Sequence, residues 1–314
     1  MSEPLLTVEN LSVEFHTRAG RHAAVSDVSF TLHAGETLGV VGESGSGKSL
    51  TMLSLLQLLP AQATARATRA QLGTRSLLEL PRAELDKVRG REIAMVFQDP
   101  LAALNPVLTI GRQITEVLRQ HFKLDAAAAR LRALQLLARV GIPDPALRMR
   151  QYPHEFSGGT RQRVTLAMAL AGEPKIVIAD EPTTALDVTV QAQIVSLVAQ
   201  LLQQTGMAVI WVTHDLALLA RIADRVLVMF AGRVMETATC ADLFARPEHP
   251  YTQALLANLR EAHGAATASS ADAATQGCPF APRCPLVQDI CRSVAPVLSP
   301  AAHGGYIACW AGRA

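Results

Sequence analysis

The segment from Gly42 to Ser49 constrains the fold of this 314-residue chain more than any other. It reads Gly-Glu-Ser-Gly-Ser-Gly-Lys-Ser and fits the phosphate-binding pattern G-x-x-x-x-G-K-[S/T]. An apolar run, Thr37–Val41, precedes it, and a run of helical character, Leu50–Leu56, follows it. The sequence therefore predicts a buried strand, a nucleotide-binding loop, and a helix that begins near Lys48 and favours anions at its N-terminus.

Each residue type in this loop has a physical task. Glycines let the backbone curl closely around a polyphosphate so that its amide groups point inward. Lys48 supplies a positive charge for the β- and γ-phosphates, and the hydroxyl of Ser49 can bind Mg²⁺. The candidate nucleotide-binding residues are Gly42, Glu43, Ser44, Gly45, Ser46, Gly47, Lys48, Ser49 and, in the helix, Thr51.

Strands and helices alternate along most of the chain. The runs Leu5–Phe15 and Ala24–Leu32, with Gly20 in the turn between them, are typical of paired antiparallel strands, and a small strand and a helix are predicted between Ala61 and Gly90. Further strands are predicted at Ile93–Phe97, Lys175–Ala179, Ala208–Val212 and Arg225–Met229, and helical segments at Thr109–Arg139, Arg161–Ala171, Thr189–Gly206 and Leu216–Ile222. This order predicts an α/β fold with a mainly parallel sheet flanked by helices and an N-terminal antiparallel β subdomain.

Two acidic residues end one of the predicted strands. The apolar run Ile176–Ala179 is followed directly by Asp180 and Glu181. Beside a nucleotide loop, a carboxylate at a strand end can hold Mg²⁺, and a neighbouring carboxylate can accept a proton from an attacking water. We therefore predict that Asp180 is a Mg²⁺ ligand and that Glu181 is the general base of nucleotide hydrolysis.

A second glycine-containing segment begins a predicted helix. Residues 156–163 read Phe-Ser-Gly-Gly-Thr-Arg-Gln-Arg, which places a hydroxyl and two glycines at a helix N-terminus that can bind an anion. Here the chain resembles the ATP-binding-cassette (ABC) ATPases, whose signature is Leu-Ser-Gly-Gly-Gln. Phe156 replaces the leucine and Thr160 the glutamine, whereas the Ser-Gly-Gly centre is intact.

The other motifs of that family follow in the expected order. The resemblance implies that Gln98 contacts the Mg²⁺ and water site and senses the membrane partner, that Asp187 in the segment Ala185–Asp187 lies at a dimer interface, and that His214 contacts the γ-phosphate. Phe15 is the candidate for the aromatic side chain that stacks on adenine, and an ordinary core phenylalanine is the alternative.

In the ABC family the signature of one subunit closes over ATP held by another. The resemblance thus implies that Ser157, Gly158 and Gly159 bind the nucleotide of a second ABC ATPase subunit, a paralogue in preference to a second copy of this chain. A nucleotide held between two helix N-termini gains more charge stabilisation than one such site supplies. ATP would join the two subunits, and its hydrolysis would release them.

Four further segments narrow the resemblance to the ATPase subunits of the peptide/nickel (oligopeptide and dipeptide) importer family. They are Phe97–Pro100, Leu104–Pro106, His249–Thr252 and Gly277–Pro285. The resemblance implies an ATPase that energises import of di- or oligopeptides through two membrane permease subunits, served indirectly by an extracytoplasmic peptide-binding protein. Transport of nickel or glutathione and peptide export are alternatives that this sequence leaves open.

The same resemblance predicts the domain organisation. Residues 1–235 are expected to form the nucleotide-binding domain, with an inserted helical signature subdomain at about 99–165. Residues 236–314 are expected to form a small cysteine-rich C-terminal extension, in which the Ala-, Ser- and Thr-rich stretch at about 261–276 is a linker.

Four cysteines lie together in this extension: Cys278, Cys284, Cys291 and Cys309. A short tail with no sizeable core needs a cross-link, and four thiolates suit either tetrahedral zinc or a [4Fe–4S] cluster. Unligated or disulfide-bonded cysteines are the third alternative. Some members of the resembled family carry a [4Fe–4S] cluster on this extension, so the resemblance implies a cluster here. Cys240 lies apart and is predicted to be a buried thiol.

Composition and charge give no support to several other classes of protein. The net charge is +2 without a basic stripe, which gives no indication of a nucleic-acid partner. No signal peptide is apparent, and no apolar run reaches the roughly 18–20 residues that span a bilayer, so we expect a peripheral protein on the cytoplasmic side of the inner membrane.

A soluble ABC ATPase acting on nucleic acid or ribosomes is the rival hypothesis. It predicts a long coiled coil or a fused second cassette, and neither is visible in the sequence.

Overall fold

The computed structural model describes residues 3–18, 20–184, 186–260 and 276–311. The strands are β1 (Leu6–Thr17), β2 (Gly20–Leu32), β3 (Thr37–Val41), β4 (Ala63–Arg66), β5 (Arg69–Leu72), β6 (Arg75–Ser76), β7 (Ile93–Val96), β8 (Ile176–Asp180), β9 (Ala208–Thr213), β10 (Arg225–Phe230), β11 (Arg233–Thr239), β12 (Ser299–Pro300) and β13 (Tyr306–Ile307). The helices are α1 (Lys48–Leu55), α2 (Arg82–Val88), α3 (Pro100–Ala103), α4 (Ile110–Phe122), α5 (Ala126–Arg139), α6 (Pro145–Arg148), α7 (Gly158–Ala171), α8 (Val188–Thr205), α9 (Leu216–Ile222), α10 (Cys240–Ala245), α11 (Pro250–Arg260) and α12 (Asp289–Ser293).

The chain divides into two compact units, Met1–Leu80 with Trp211–Ala314, and Pro81–Ile210. In the first unit, β1 pairs with β2 in antiparallel register, so that Leu6 faces Leu32 and Val8 faces Phe30. Strands β4 and β5 pair with the other edge of β1, and β6 pairs with β5. The predicted N-terminal antiparallel subdomain is therefore confirmed, and the region for which one strand was predicted contains three.

A second sheet of the first unit carries the nucleotide loop. All five residues of β3 are buried, and β3 runs parallel to β10. Strand β11 continues the sheet from β10 in antiparallel order, and the short strands β13 and β12 of the C-terminal tail extend it further. The tail is thus an integral part of this sheet.

The second unit combines a parallel strand pair with helices. Strand β7 lies parallel to β8, with Ile93 opposite Ile176. The stretch Thr109–Arg139, which has helical spacing throughout, forms two helices, α4 and α5, instead of one continuous helix. Lys123 adopts a left-handed conformation with a φ of 53°, and the Asp125 carboxylate accepts a hydrogen bond from the Ala128 amide to begin α5. The α/β architecture with helices in the predicted signature region is confirmed.

Three predictions about chain organisation have different outcomes. Strand β11 crosses the predicted domain boundary at residue 235 without a break, and the boundary stays a prediction. Most of the predicted linker, residues 261–275, lies outside the described residues. Among the helices that the structure describes, none combines the length and apolar character that crossing a bilayer requires.

Candidate nucleotide-binding site and the residues around it

The loop between β3 and α1 has the backbone that its sequence predicts. Gly45 and Gly47 adopt left-handed φ angles of 78° and 92°, which side chains disfavour. A Cβ atom on Gly42 would lie 2.1 Å from the carbonyl oxygen of Met229, so this position has no room for a side chain. The glycines therefore serve both the curvature of the loop and its close approach to β10.

The Lys48 side chain folds back onto the nucleotide loop. It is largely buried, and its Nζ donates hydrogen bonds to the carbonyl oxygens of Gly42 at 2.8 Å and Glu43 at 3.0 Å. Its ammonium charge is therefore held next to the backbone amides and the N-terminus of α1. Because all of these groups attract anions, the loop is suited to bind a polyphosphate.

The other loop residues take different positions. Ser44 and Gly45 are exposed at the tip, Ser46 is buried, and Ser49 is half-buried at the start of α1. Thr51, predicted as a nucleotide-binding residue, is fully buried, and its Oγ1 donates to the Gly47 carbonyl at 2.9 Å. The structure thus shows Thr51 stabilising the loop backbone.

Two more candidate residues lie in the first unit. His214 is exposed directly after β9, and the next residue, Asp215, caps α9 by accepting a hydrogen bond from the Leu218 amide at 3.1 Å. Phe15 is half-exposed on β1, opposite His22 on β2. Its exposure is compatible with stacking on a base, and its role as the adenine-stacking residue stays a prediction.

The acidic residues form a small network within the second unit. Asp180 is the buried last residue of β8, and Glu181 follows it with a left-handed φ of 46°. One carboxylate oxygen of Glu181 accepts hydrogen bonds from the Gln98 Nε2 at 3.2 Å and the Thr184 Oγ1 at 3.0 Å. The structure therefore brings the predicted base together with Gln98, and Thr184 is a further partner that the sequence did not reveal.

The signature segment begins helix α7 as a capped N-terminus. The Ser157 Oγ lies 3.4 Å from the Thr160 amide, which donates to it, and 2.9 Å from the Thr160 Oγ1. The threonine that replaces the family's glutamine is therefore bonded to the signature serine. A Cβ on Gly159 would lie 2.5 Å from the Val190 Cγ1, whereas Ser157 and Gly158 are exposed. This helix N-terminus is thus open to an anionic ligand.

The residues flanking the signature have structural partners. Phe156 is buried, and the Arg148 guanidinium lies 5.8 Å from its ring centre. Asp187, predicted at a dimer interface, caps α8 by accepting a hydrogen bond from the Val190 amide at 2.9 Å. Ala185, the first residue of that predicted motif, lies outside the described residues.

The segment His249–Thr252 connects the nucleotide loop to the rest of the first unit. The Glu43 amide donates to the Tyr251 hydroxyl at 3.1 Å, and the Tyr251 amide donates to the His249 Nδ1 at 3.0 Å. Burial lowers the pKa of His249 to about 4, so the ring is neutral and can accept this hydrogen bond. The His249 amide in turn donates to the Glu236 carboxylate at 3.0 Å.

Arg283 of the tail contacts the same loop residue. Its two terminal nitrogens donate to the two carboxylate oxygens of Glu43, at 3.1 Å and 2.9 Å. Its guanidinium also lies 5.5 Å from the ring centre of Phe230 and 5.3 Å from that of Phe280. Tyr251 and Arg283 are therefore loop-contacting residues that sequence reasoning did not assign to the site.

The four tail cysteines surround one small pocket: Cys278, Cys284, Cys291 and Cys309 all line it, together with His249 and Trp310. Burial, with a smaller contribution from the other three cysteines, raises the pKa of the Cys278 thiol to about 11. Burial also raises the pKa of Cys284. Among the residues that the structure describes, no group of three or more His, Cys, Asp or Glu side chains has an arrangement that could hold a metal ion.

The burial of Cys240 differs from the prediction. It is half-buried, not buried, because it begins helix α10 at the surface of the first unit. Its Sγ lies 3.7 Å from the Leu219 carbonyl oxygen, to which it donates. It does not line the pocket of the tail cysteines.

Comparison with known protein families gives two matches along the chain. Residues 25–184 match the ABC transporter family, and residues 235–291 match the C-terminal region of oligopeptide/dipeptide transporters. The chain is 50% identical to a putative peptide import ATP-binding protein of Brucella melitensis, over 94% of this chain and 92% of that protein. It is 46% identical to the dipeptide transport ATP-binding protein DppD of Bacillus subtilis, over 98% and 95%.

Solved structures of ATP-binding cassettes match the fold of this chain. A dimeric ATP-binding cassette in a post-hydrolysis state, bound to ADP and Pi, matches with a TM-score of 0.65 and 28% identity, over 75% of this chain and 98% of that one. The cassette cbiO1 of Clostridium perfringens, part of an ABC transporter complex, matches with a TM-score of 0.64 and 26% identity, over 82% and 96%. The chain therefore belongs to the ABC transporter family, as an ABC ATPase that also carries the C-terminal region of the oligopeptide/dipeptide transporters.

Proposed function

We propose that this ATPase energises the import of dipeptides or oligopeptides through a separate membrane permease. The observation that carries the proposal is the presence, in one chain, of an ABC cassette and of the oligopeptide/dipeptide transporter C-terminal region at residues 235–291. The named functions of the relatives from Brucella melitensis and Bacillus subtilis, peptide import and dipeptide transport, support it.

The proposed ATP site divides its tasks among the residues described above. Lys48 and the amides of the loop bind the β- and γ-phosphates, and Ser49, Gln98 and Asp180 are proposed to hold Mg²⁺. Buried Asp180, at the end of β8, and half-buried Ser49, at the start of α1, offer the oxygen ligands that Mg²⁺ prefers. When bound by these residues, Mg²⁺ would supply positive charge that stabilises the charge developing during phosphoryl transfer.

Glu181 is proposed as the base that accepts a proton from the attacking water. The hydrogen bonds from Gln98 and Thr184 to one of its oxygens hold the carboxylate in a fixed position, which supports this role. His214 is proposed to contact the γ-phosphate. Ser157, Gly158 and Gly159 are proposed to bind the ATP of a partner subunit, because the N-terminus of α7 is capped but exposed.

This assignment implies a set of partners and a location. We propose that the chain pairs with a second ABC ATPase subunit, a paralogue in preference to its own copy, on the cytoplasmic face of the membrane. Two permease subunits would form the channel, and an extracytoplasmic binding protein would deliver the peptide. Gln98, Leu101 and Arg161 line a pocket beside the start of α7, which gives the permease a surface near both Gln98 and the signature.

Uptake measurements test the substrate. Deleting this chain should abolish uptake of labelled di- or oligopeptides, and the intact chain should restore it whereas the Glu181→Gln variant should not, because the permease would then lack hydrolysis. Nickel and glutathione uptake are measured in the same strains as controls. Loss of nickel or glutathione uptake with normal peptide uptake would contradict the proposal and favour that alternative.

We further propose that Cys278, Cys284, Cys291 and Cys309 bind a [4Fe–4S] cluster. Two points support the proposal: the four thiols line a single pocket, and cysteine thiolates are the usual ligands of such clusters. When bound, the cluster would supply a cross-link that fixes the tail. Because burial raises the pKa values of Cys278 and Cys284, metal binding must displace the protons of these two thiols.

Anaerobic purification tests the cluster. We expect a brown protein with iron and sulfide in equal amounts and broad visible absorbance. Cys291→Ser should lose the colour and most of the iron, whereas Cys240→Ser should retain both, because Cys240 does not line the pocket. Colourless protein with one zinc per chain would contradict the cluster and establish the zinc alternative.

A further inference from the structure

The nucleotide loop has a carboxylate whose charge is balanced from the far end of the chain. Glu43 is the second residue of the loop, and Arg283, which pairs with it through two hydrogen bonds, follows it by 240 residues. Both side chains are mostly shielded from solvent, with 15% and 23% of their surfaces exposed. We propose that Arg283 is a positioning residue for ATP binding, which neutralises Glu43 and fixes the loop in its phosphate-binding conformation.

The first argument is electrostatic. A loop that receives a polyphosphate gains from every nearby positive charge and loses from every negative one. Glu43 is a negative charge on this loop, and its shielding from solvent limits screening by water and salt. Without Arg283 the carboxylate would be unpaired and would repel the triphosphate. The ion pair therefore removes a penalty that the loop sequence itself creates.

The second argument is geometric. Tyr251 accepts a hydrogen bond from the Glu43 amide, while Arg283 holds the Glu43 side chain, so the backbone and the carboxylate of one residue are both fixed by the C-terminal extension. The two contacting residues share a support: Tyr251 packs on Phe280 at 5.3 Å between ring centres, and Arg283 lies over the same ring. Glu43 also offers its carbonyl oxygen to Lys48 at 3.0 Å. A shift of Glu43 would therefore move the lysine that binds phosphate.

The short turn that carries Arg283 ends next to the cysteine pocket. Ala281–Arg283 forms one turn of 3₁₀ helix, and Cys284 follows directly. The fold of the tail thus sets the position of the guanidinium. The ion pair joins two side chains of the chain itself, so this inference does not require a choice between the ligands proposed for the cysteines.

Four variants of the full chain test the inference: Arg283→Gln, Arg283→Lys, the double variant Glu43→Gln with Arg283→Gln, and Arg292→Gln as a matched control. Arg292 is an exposed arginine of the same tail. ATP affinity is measured by titration calorimetry, and KM and kcat are measured for hydrolysis. Iron and zinc content and the melting temperature of each variant show whether the tail stays folded and loaded.

Arg283→Gln should weaken ATP binding by about tenfold, the effect expected from losing a charge-assisted hydrogen bond, and should raise KM more than it lowers kcat. Arg283→Lys should recover part of the loss because it keeps the charge without the paired geometry. The double variant should recover most of the affinity, because it removes the carboxylate that Arg283→Gln leaves unpaired. A residue that only stabilised the fold would show no such recovery.

The inference is overturned if Arg283→Gln binds ATP as tightly as Arg292→Gln does. It is also overturned if the double variant binds ATP no more tightly than Arg283→Gln with equal metal content and melting temperature. The second result would mean that the contact stabilises the tail without positioning the loop.

Discussion

The Glu181→Gln variant should bind ATP and fail to hydrolyse it. We expect the rate of phosphate release to fall by at least about 100-fold, since this is the usual contribution of a general base. An amide oxygen can still accept the hydrogen bonds from Gln98 and Thr184, so the side chain should keep its position while losing its basicity. Phosphate release and ATP binding are measured separately on the same preparation.

The same variant should also show whether ATP holds two subunits together as a dimer. If copies of this chain also pair in the absence of the paralogue, and if hydrolysis releases the two subunits, Glu181→Gln should accumulate as an ATP-bound dimer that gel filtration separates from the monomer. Glu173→Gln is a matched control, because Glu173 lies in the same unit, also adopts a left-handed φ, 54°, and pairs with Arg132 at the surface. Its turnover should be close to that of the unaltered chain. Normal turnover by Glu181→Gln would show that another group is the base.

The local parts of the site could be predicted from the sequence because each depends on neighbouring residues. The loop glycines, the strand before them and the helix after them lie within 20 residues, and their residue types fix the backbone directly. The same holds for Ser157, whose role at the start of α7 follows from its hydroxyl and the glycines after it. The break between α4 and α5 had a local signal as well, because aspartate is a preferred helix N-cap and Asp125 precedes Ala126.

The parts that could not be predicted depend on contacts between distant residues. No pattern near Glu43 indicates that its amide contacts Tyr251 or that its carboxylate pairs with Arg283, since those residues lie 208 and 240 positions away in the sequence. The hydrogen bond from Gln98 to Glu181 likewise joins residues 83 positions apart. The segments His249–Thr252 and Gly277–Pro285 identify the family, but their physical role at the loop becomes visible only in the folded chain.

Mixing two inactive variants should restore ATP hydrolysis if the site is shared between subunits. Lys48→Ala removes the buried ammonium from the nucleotide loop, and Ser157→Arg places a long side chain at the exposed start of α7. Each variant alone should lose at least about 100-fold in turnover, because both sites of its dimer are damaged. In a mixed dimer, however, one site combines an intact loop with an intact signature. Turnover of the mixture should therefore rise to as much as about a quarter of the unaltered rate, since half of randomly formed dimers have one good site.

Replacing Ser157→Arg by Asp180→Asn in the mixture tests whether recovery of turnover depends on the signature of the other subunit. Lys48→Ala mixed with Asp180→Asn should stay inactive, because in the proposed site both residues act on the nucleotide held by their own chain and every mixed site keeps one defect. Both mixtures contain the same total protein and the same Lys48 variant, so a difference between them cannot come from dimer formation alone. Gel filtration of Glu181→Gln with ATP is done first, because the mixing experiment requires that copies of this chain pair with each other in the absence of the paralogue. Recovery with Asp180→Asn, or none with Ser157→Arg among copies that do pair, would mean that the signature serves the loop of its own chain.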